Sequence, residues 1–142
     1  VYSIHDQAVD KGYIKLAWGK ARIYLRFRVD VLEPALANID QCLETAKEEE
    51  KWIIYAQGAS FLLDNHWQIR QAMEWADKST RLYDHSWNWY IKARAQAASG
   101  DYTGAMESIE RCRELGNSNQ ADRFYTNSKE EVEASYREWA SR

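Results

Sequence analysis

Hydrophobic and polar residues alternate near the start of this chain and then change period. Across Ala21–Val31, the apolar set Ile23, Leu25, Phe27, Val29 and Val31 interleaves with Arg22, Tyr24, Arg26, Arg28 and Asp30. A period of two with one apolar face predicts a β-strand, because successive side chains point to opposite sides of the sheet. Tyr13–Trp18 reads the same way, with Ile14, Leu16 and Trp18 sharing a face. Gly19-Lys20 between them suits a two-residue type II′ turn, which needs positive φ at its first position. These residues predict a β-hairpin, with Tyr2-Ser3-Ile4 as a further strand. A lone hairpin is marginal in water and needs cover for its apolar face. The expectation is that upstream chain completes the sheet, residues 1–31 being the remnant of a larger β domain, and that the first helix covers part of that face.

From Leu32 the period becomes helical. Ala35, Leu36, Ile39, Leu43 and Ala46 lie three and four apart, predicting an amphipathic helix with Pro34 tolerated in its first turn. After the charged connection Lys47–Lys51, a second helix is predicted over Trp52, Tyr55, Ala56, Ala59 and Leu62-Leu63, stopping near Asp64-Asn65-His66. A third runs from Gln68 to Leu82. Asp84-His85-Ser86 makes the next turn, with Ser86 or Asp84 able to cap the fourth helix, Trp87 to Ser99. Gly100-Asp101 stops that helix, and Gly116-Asn117-Ser118 is expected to stop a fifth over Thr103–Leu115. Beyond a polar segment with Phe124 and Tyr125, Ser128-x-x-Glu131 has the spacing of a capping box opening a last helix over Val132, Tyr136 and Trp139.

These helices repeat. Trp52-x-x-Tyr55 recurs 35 residues later as Trp87-x-x-Tyr90, and Tyr125 lies 35 beyond Tyr90. Ala72-Met73-Glu74 recurs as Ala105-Met106-Glu107 after 33 residues. A period in this range, with two helices per unit, predicts stacked helical hairpins, each copy burying the face its neighbour leaves bare. The expected fold class is therefore mainly α, five to six helices over residues 32–142 behind an N-terminal β-hairpin. The polar last helix would act as the terminal cap.

Residues 87–116 resemble a tetratricopeptide repeat in Trp89, the small Ala93, Gly100-Asp101-Tyr102, Ala105, Ile109 and the small Cys112. The match departs from the family at Lys92, where leucine is usual, and in lacking the closing proline. Residues 52–83 are a looser copy, with a turn about two residues longer. The resemblance implies a binding module that holds a protein or peptide on its concave face. The hairpin segment Ala17-Trp18-Gly19-Lys20-Ala21-Arg22-Ile23 resembles the C-terminal end of an exported bacterial domain-of-unknown-function family. That resemblance implies a periplasmic or secreted address and carries no chemistry.

Composition narrows the function classes. Seven Trp and nine Tyr in 142 residues fit either repeat packing or a contact surface. Six basic residues and no acid lie between Lys11 and Arg28, although the whole chain carries −3. The acidic remainder disfavours nucleic acid as a partner. No apolar run is long enough to span a membrane. A start at Val1 rather than Met points to a processed or truncated product. Cys42 and Cys112 lack ligand-spaced companions, and each reads as a small core residue.

No catalytic pattern emerges. Asp84-His85-Ser86 contains the residue types of a hydrolytic triad, but adjacent turn residues point apart, whereas a triad converges from separate elements. His66 and His85 flank a long helix and cannot share a zinc ion whose ligands sit about 2 Å from it. Neither metal nor cofactor is expected, and the chain reads as non-catalytic. Trp52, Tyr55, Trp87, Tyr90 and Arg94 are the candidate binding residues, all on first helices of the predicted hairpins. They serve either as packing between hairpins or as a groove where aromatics stack on a peptide or glycan and Arg94 meets an anion. Glycan binding, or bracing of a β-rich exported protein, is the rival function.

Overall fold

A computed structural model of the chain describes residues 2–8, 10–119 and 122–142. They divide into two compact units, Val1–Gln41 and Cys42–Arg142.

The first unit is a three-stranded antiparallel meander, β1 (Tyr2–Ala8), β2 (Lys11–Trp18) and β3 (Ala21–Arg28), leading into α1 (Leu32–Thr45). Trp18 pairs with Ala21 across the two-residue turn, Gly19 takes φ +56° and Lys20 does not share the positive φ, as a type II′ turn requires. β2 begins two residues earlier than Tyr13, and β3 stops at Arg28. The register pairs Ile14 with Leu25 and Leu16 with Ile23, placing the apolar set on one face. Gly12, opposite Phe27, is buried because the Phe27 ring lies over it. A Cβ there would meet the His5 carbonyl at 2.6 Å and Phe27 Cζ at 2.9 Å.

The expected cover from α1 is absent. Ile23, Leu25 and Phe27 remain 44%, 50% and 38% exposed, and α1 buries none of its own residues. Its apolar positions are partly covered at best, so Cys42 on this helix is exposed instead of lying in a core.

The second unit holds α2 (Lys51–Asp64), α3 (Ile69–Leu82), α4 (Ser86–Ser99), α5 (Tyr102–Ser118) and α6 (Arg123–Trp139), with a short 3-10 turn at Glu48–Glu50. Consecutive helices pack as pairs, α2 on α3 and α4 on α5, and α4 also touches α2 and α6. Helices α2 and α4 start 35 residues apart, and α3 and α5 start 33 apart, reproducing both sequence periods. Small residues at the crossings, among them Ala59, Ala72, Ala76, Ala93 and Ala105, are fully buried and let backbones approach. Between the later helices, Tyr90, Ala93, Ile109, Cys112, Tyr125 and Val132 form one apolar cluster.

Three helix ends differ from expectation. His85, not Asp84 or Ser86, caps α4: its Nδ1 accepts from the Trp87 amide at 3.1 Å, and Asn88 reaches back to the His85 amide. Asp84 is drawn away by Trp89 Nε1 at 2.5 Å and by Arg111, whose guanidinium holds the Asp84 carboxyl below the usual carboxylate range. Ser86 is buried and donates to Asp122. Asp122 itself caps α6 through the Tyr125 amide, so the helix opens at Arg123, ahead of the Ser128 box. Helix α5 does not stop at Gly116 but runs on to Ser118.

The thiols follow from this packing. Cys112 is fully buried, and burial pushes its pKa up to about 12, whereas Cys42 is exposed. Titration with a thiol reagent at pH 8 should therefore modify Cys42 rapidly in the native protein and Cys112 only after denaturation, because the thiolate is the reactive form. Equal rates for both would contradict the buried placement.

Candidate functional site

The five candidate residues are positioned by α2 and α4, but they do not converge. Trp52 and Trp87 occupy the second position of α2 and α4, and their rings meet edge to face with centroids 6.2 Å apart. Trp52 also stacks on Tyr83 at 4.8 Å and on the His85 ring at 5.5 Å. This aromatic group sits over a buried polar hub. Asn88, fully buried, donates through Nδ2 to the Tyr83 carbonyl at 2.7 Å and to Ser79 Oγ at 3.2 Å. Ser79 Oγ in turn donates to the Trp52 carbonyl at 2.7 Å, tying α3 to α2.

Tyr90 faces the other way. Its ring lies 5.7 Å from Phe124 in the α4–α6 core, and its hydroxyl sits 3.1 Å from Glu131 Oε1 and 3.0 Å from Ser135 Oγ. Burial pushes its pKa up to about 12. Tyr55 lies apart again, with Lys78 Nζ 5.4 Å above its ring, beside a shallow cleft of about 300 Å³ shared with Lys51 and Arg81. Arg94 reaches from α4 to α2, donating to Asp64 Oδ1 at 2.6 Å and lying 3.5 Å from Ser60 Oγ.

Arg94 opens onto a cleft of about 270 Å³ that α2, α4 and α6 build together with Tyr102 at the start of α5. His66, Ala98, Tyr102, Glu138 and Trp139 line it with Arg94. His66 follows α2 in the left-handed region at φ +55°, and Gln68 adopts φ +41°. A non-glycine residue there is strained, and such strain concentrates at functional turns. The turn is held by the Trp67 amide on the Leu62 carbonyl at 2.9 Å and by the Phe61–Trp67 ring contact at 5.7 Å. Of these lining residues only Arg94 was a candidate binding residue in the sequence. The available signal was the small pair Ala97-Ala98 three and four residues after it, which leaves space on that side of α4.

Chemically, the cleft offers a guanidinium, an imidazole and a carboxylate around two aromatic rings. Among the described residues no three His, Cys, Asp or Glu side chains are grouped to hold a metal ion. No described helix is long and apolar enough to cross a membrane.

The architecture defines the class of this protein: a mainly α domain of sequentially packed helix pairs behind an antiparallel hairpin. No family model, curated protein or solved structure matches the chain.

Proposed function

We propose that the helical unit is a non-catalytic interaction module of tetratricopeptide type, taking an extended peptide segment of a partner protein along the side built by α2, α4 and α6. The observation that carries this reading is the Arg94 cleft, to which all three of those helices contribute. A surface shared by successive repeats is how helical-repeat proteins present a long contact area. Arg94 is half-buried and already held by Asp64, so it is preorganised to meet a carboxylate or a backbone carbonyl at little further cost in side-chain entropy. Trp139 and Tyr102 supply rigid apolar anchors beside it.

The test is selection of peptides from a random display library on the whole chain, followed by titration of the selected sequences. Ala98 is exposed, so Ala98→Gln fills the cleft without disturbing the core. It and Arg94→Gln are each expected to weaken binding by about tenfold, roughly 1.4 kcal/mol, with the melting temperature unchanged. Peptides that bind both variants as well as the parent would place recognition elsewhere and end this proposal.

A further inference from the structure

The polar face of the sheet carries a feature the helical module leaves unused. Pairing of β2 with β3 sets Lys15 opposite Tyr24, Tyr13 opposite Arg26, and Ala17 opposite Arg22, all on one face. With Lys11 and Arg28, that face gathers five cations. Arg28 meets Asp10 at 3.4 Å, while Lys15, Arg22 and Arg26 have no acidic partner among the described residues. Through the middle runs a ring ladder: His5 stacks on Tyr13 at 4.9 Å, and Tyr13 lies 5.7 Å from Tyr24, crossing all three strands. Every residue of β3 is exposed. The opposite face of the same sheet is apolar, so the cations are confined to this one.

We propose that this face binds a linear anionic polysaccharide, its sulfate or carboxylate groups meeting Lys15, Arg22 and Arg26 and its sugars lying across the ring ladder. Charge complementarity selects a polyanion, since a field of one sign concentrates the opposite charge. The ring geometry selects sugars over bases. His5 and Tyr13 lie face to face at an interplanar angle of 16°, so each covers one face of the other and less ring surface remains for a nucleobase to stack upon. Tyr24 is 54% exposed and, like Tyr13, carries a hydroxyl suited to hydrogen bonding with sugars. None of the described clefts lies on this face, which favours a ligand carrying charge on its own backbone over an acidic peptide.

The experiment is calorimetric titration of the whole chain with dextran sulfate, using uncharged dextran, poly-glutamate and oligo-dT as parallel probes. Binding of dextran sulfate alone is expected, weakening by about tenfold or more as salt rises from about 50 to 200 mM. The double variant Arg22→Gln/Arg26→Gln should lose about tenfold. Arg70→Gln/Arg123→Gln, which removes equal charge from exposed sites on the helical unit, should lose nothing. If the β3 pair perturbs the far-ultraviolet circular dichroism, Lys15→Gln on the central strand gives the same reading at smaller amplitude. Equal binding of poly-glutamate or oligo-dT, equal loss in both double variants, or no binding of dextran sulfate each overturns the proposal.

Discussion

Replacing Gly116 with alanine is expected to destabilise the protein by about 2 kcal/mol, although alanine is the better helix former. Propensity alone predicts a gain of about 1 kcal/mol for this change inside a helix. Gly116 lies within α5, is buried, and has the Tyr125 ring directly against its Cα; a methyl group built there overlaps three atoms of that ring. Tyr125 is itself 3% exposed, near the start of α6, in the cluster with Tyr90 and Val132, so it has no free space to yield into. Overpacking of a closed core costs about 1–3 kcal/mol or more, enough to reverse the propensity gain. Urea denaturation followed by circular dichroism measures the sign. In a Tyr125→Ala background the same change should recover the propensity gain, because the obstructing ring is gone. A rise in stability in the parent background would mean that α6 does not seat against α5 at this point.

Asn88→Ala should be the more damaging substitution, at about 3–5 kcal/mol. The side chain is fully buried and bridges the end of α3, the cap of α4 and, through Ser79, the start of α2. Its removal strands the Tyr83 carbonyl and the His85 amide, each a part-buried backbone group costing up to about 1–3 kcal/mol when unpaired, and leaves a void besides. Leucine at this position should be nearly as harmful, because the stranded partners are backbone groups that no apolar side chain can satisfy. Thermal melts monitored by tryptophan fluorescence report both effects, since Trp52 and Trp87 sit over the hub. A loss below about 1 kcal/mol for both variants would show that the three helix ends hold without this bridge.

These two residues mark how far the sequence could be read. The strand parity of Ile14, Leu16, Ile23, Leu25 and Phe27 specified the hairpin and its faces, because a side-chain period of two leaves only one apolar side. The 35- and 33-residue periods recovered the helix pairs, because each copy reuses the same burial pattern. Gly116 has the same local look as Gly100, yet Gly100 ends its helix at φ +87° while Gly116 admits an aromatic ring from a helix further on. Asp84, His85 and Ser86 all have capping chemistry. Which one caps was settled by distant partners, Arg111 and Trp89 taking Asp84 and Asp122 taking Ser86.

The candidate site divides in the same manner. Tyr55 and Tyr90 occupy matching places in one motif, but Tyr90 has α6 beside it and is buried, whereas Tyr55 is only partly covered and borders an open cleft beneath Lys78. A motif cannot tell which of its copies has a neighbour. Periodicity in the chain determined the element types, their order and their pairing, since those depend on residues close in sequence. The starts of α4 and α6, the fate of Gly116 and of the two motif tyrosines, and the cleft at Arg94 were decided in three dimensions, because each depends on groups that meet only after the helices have packed.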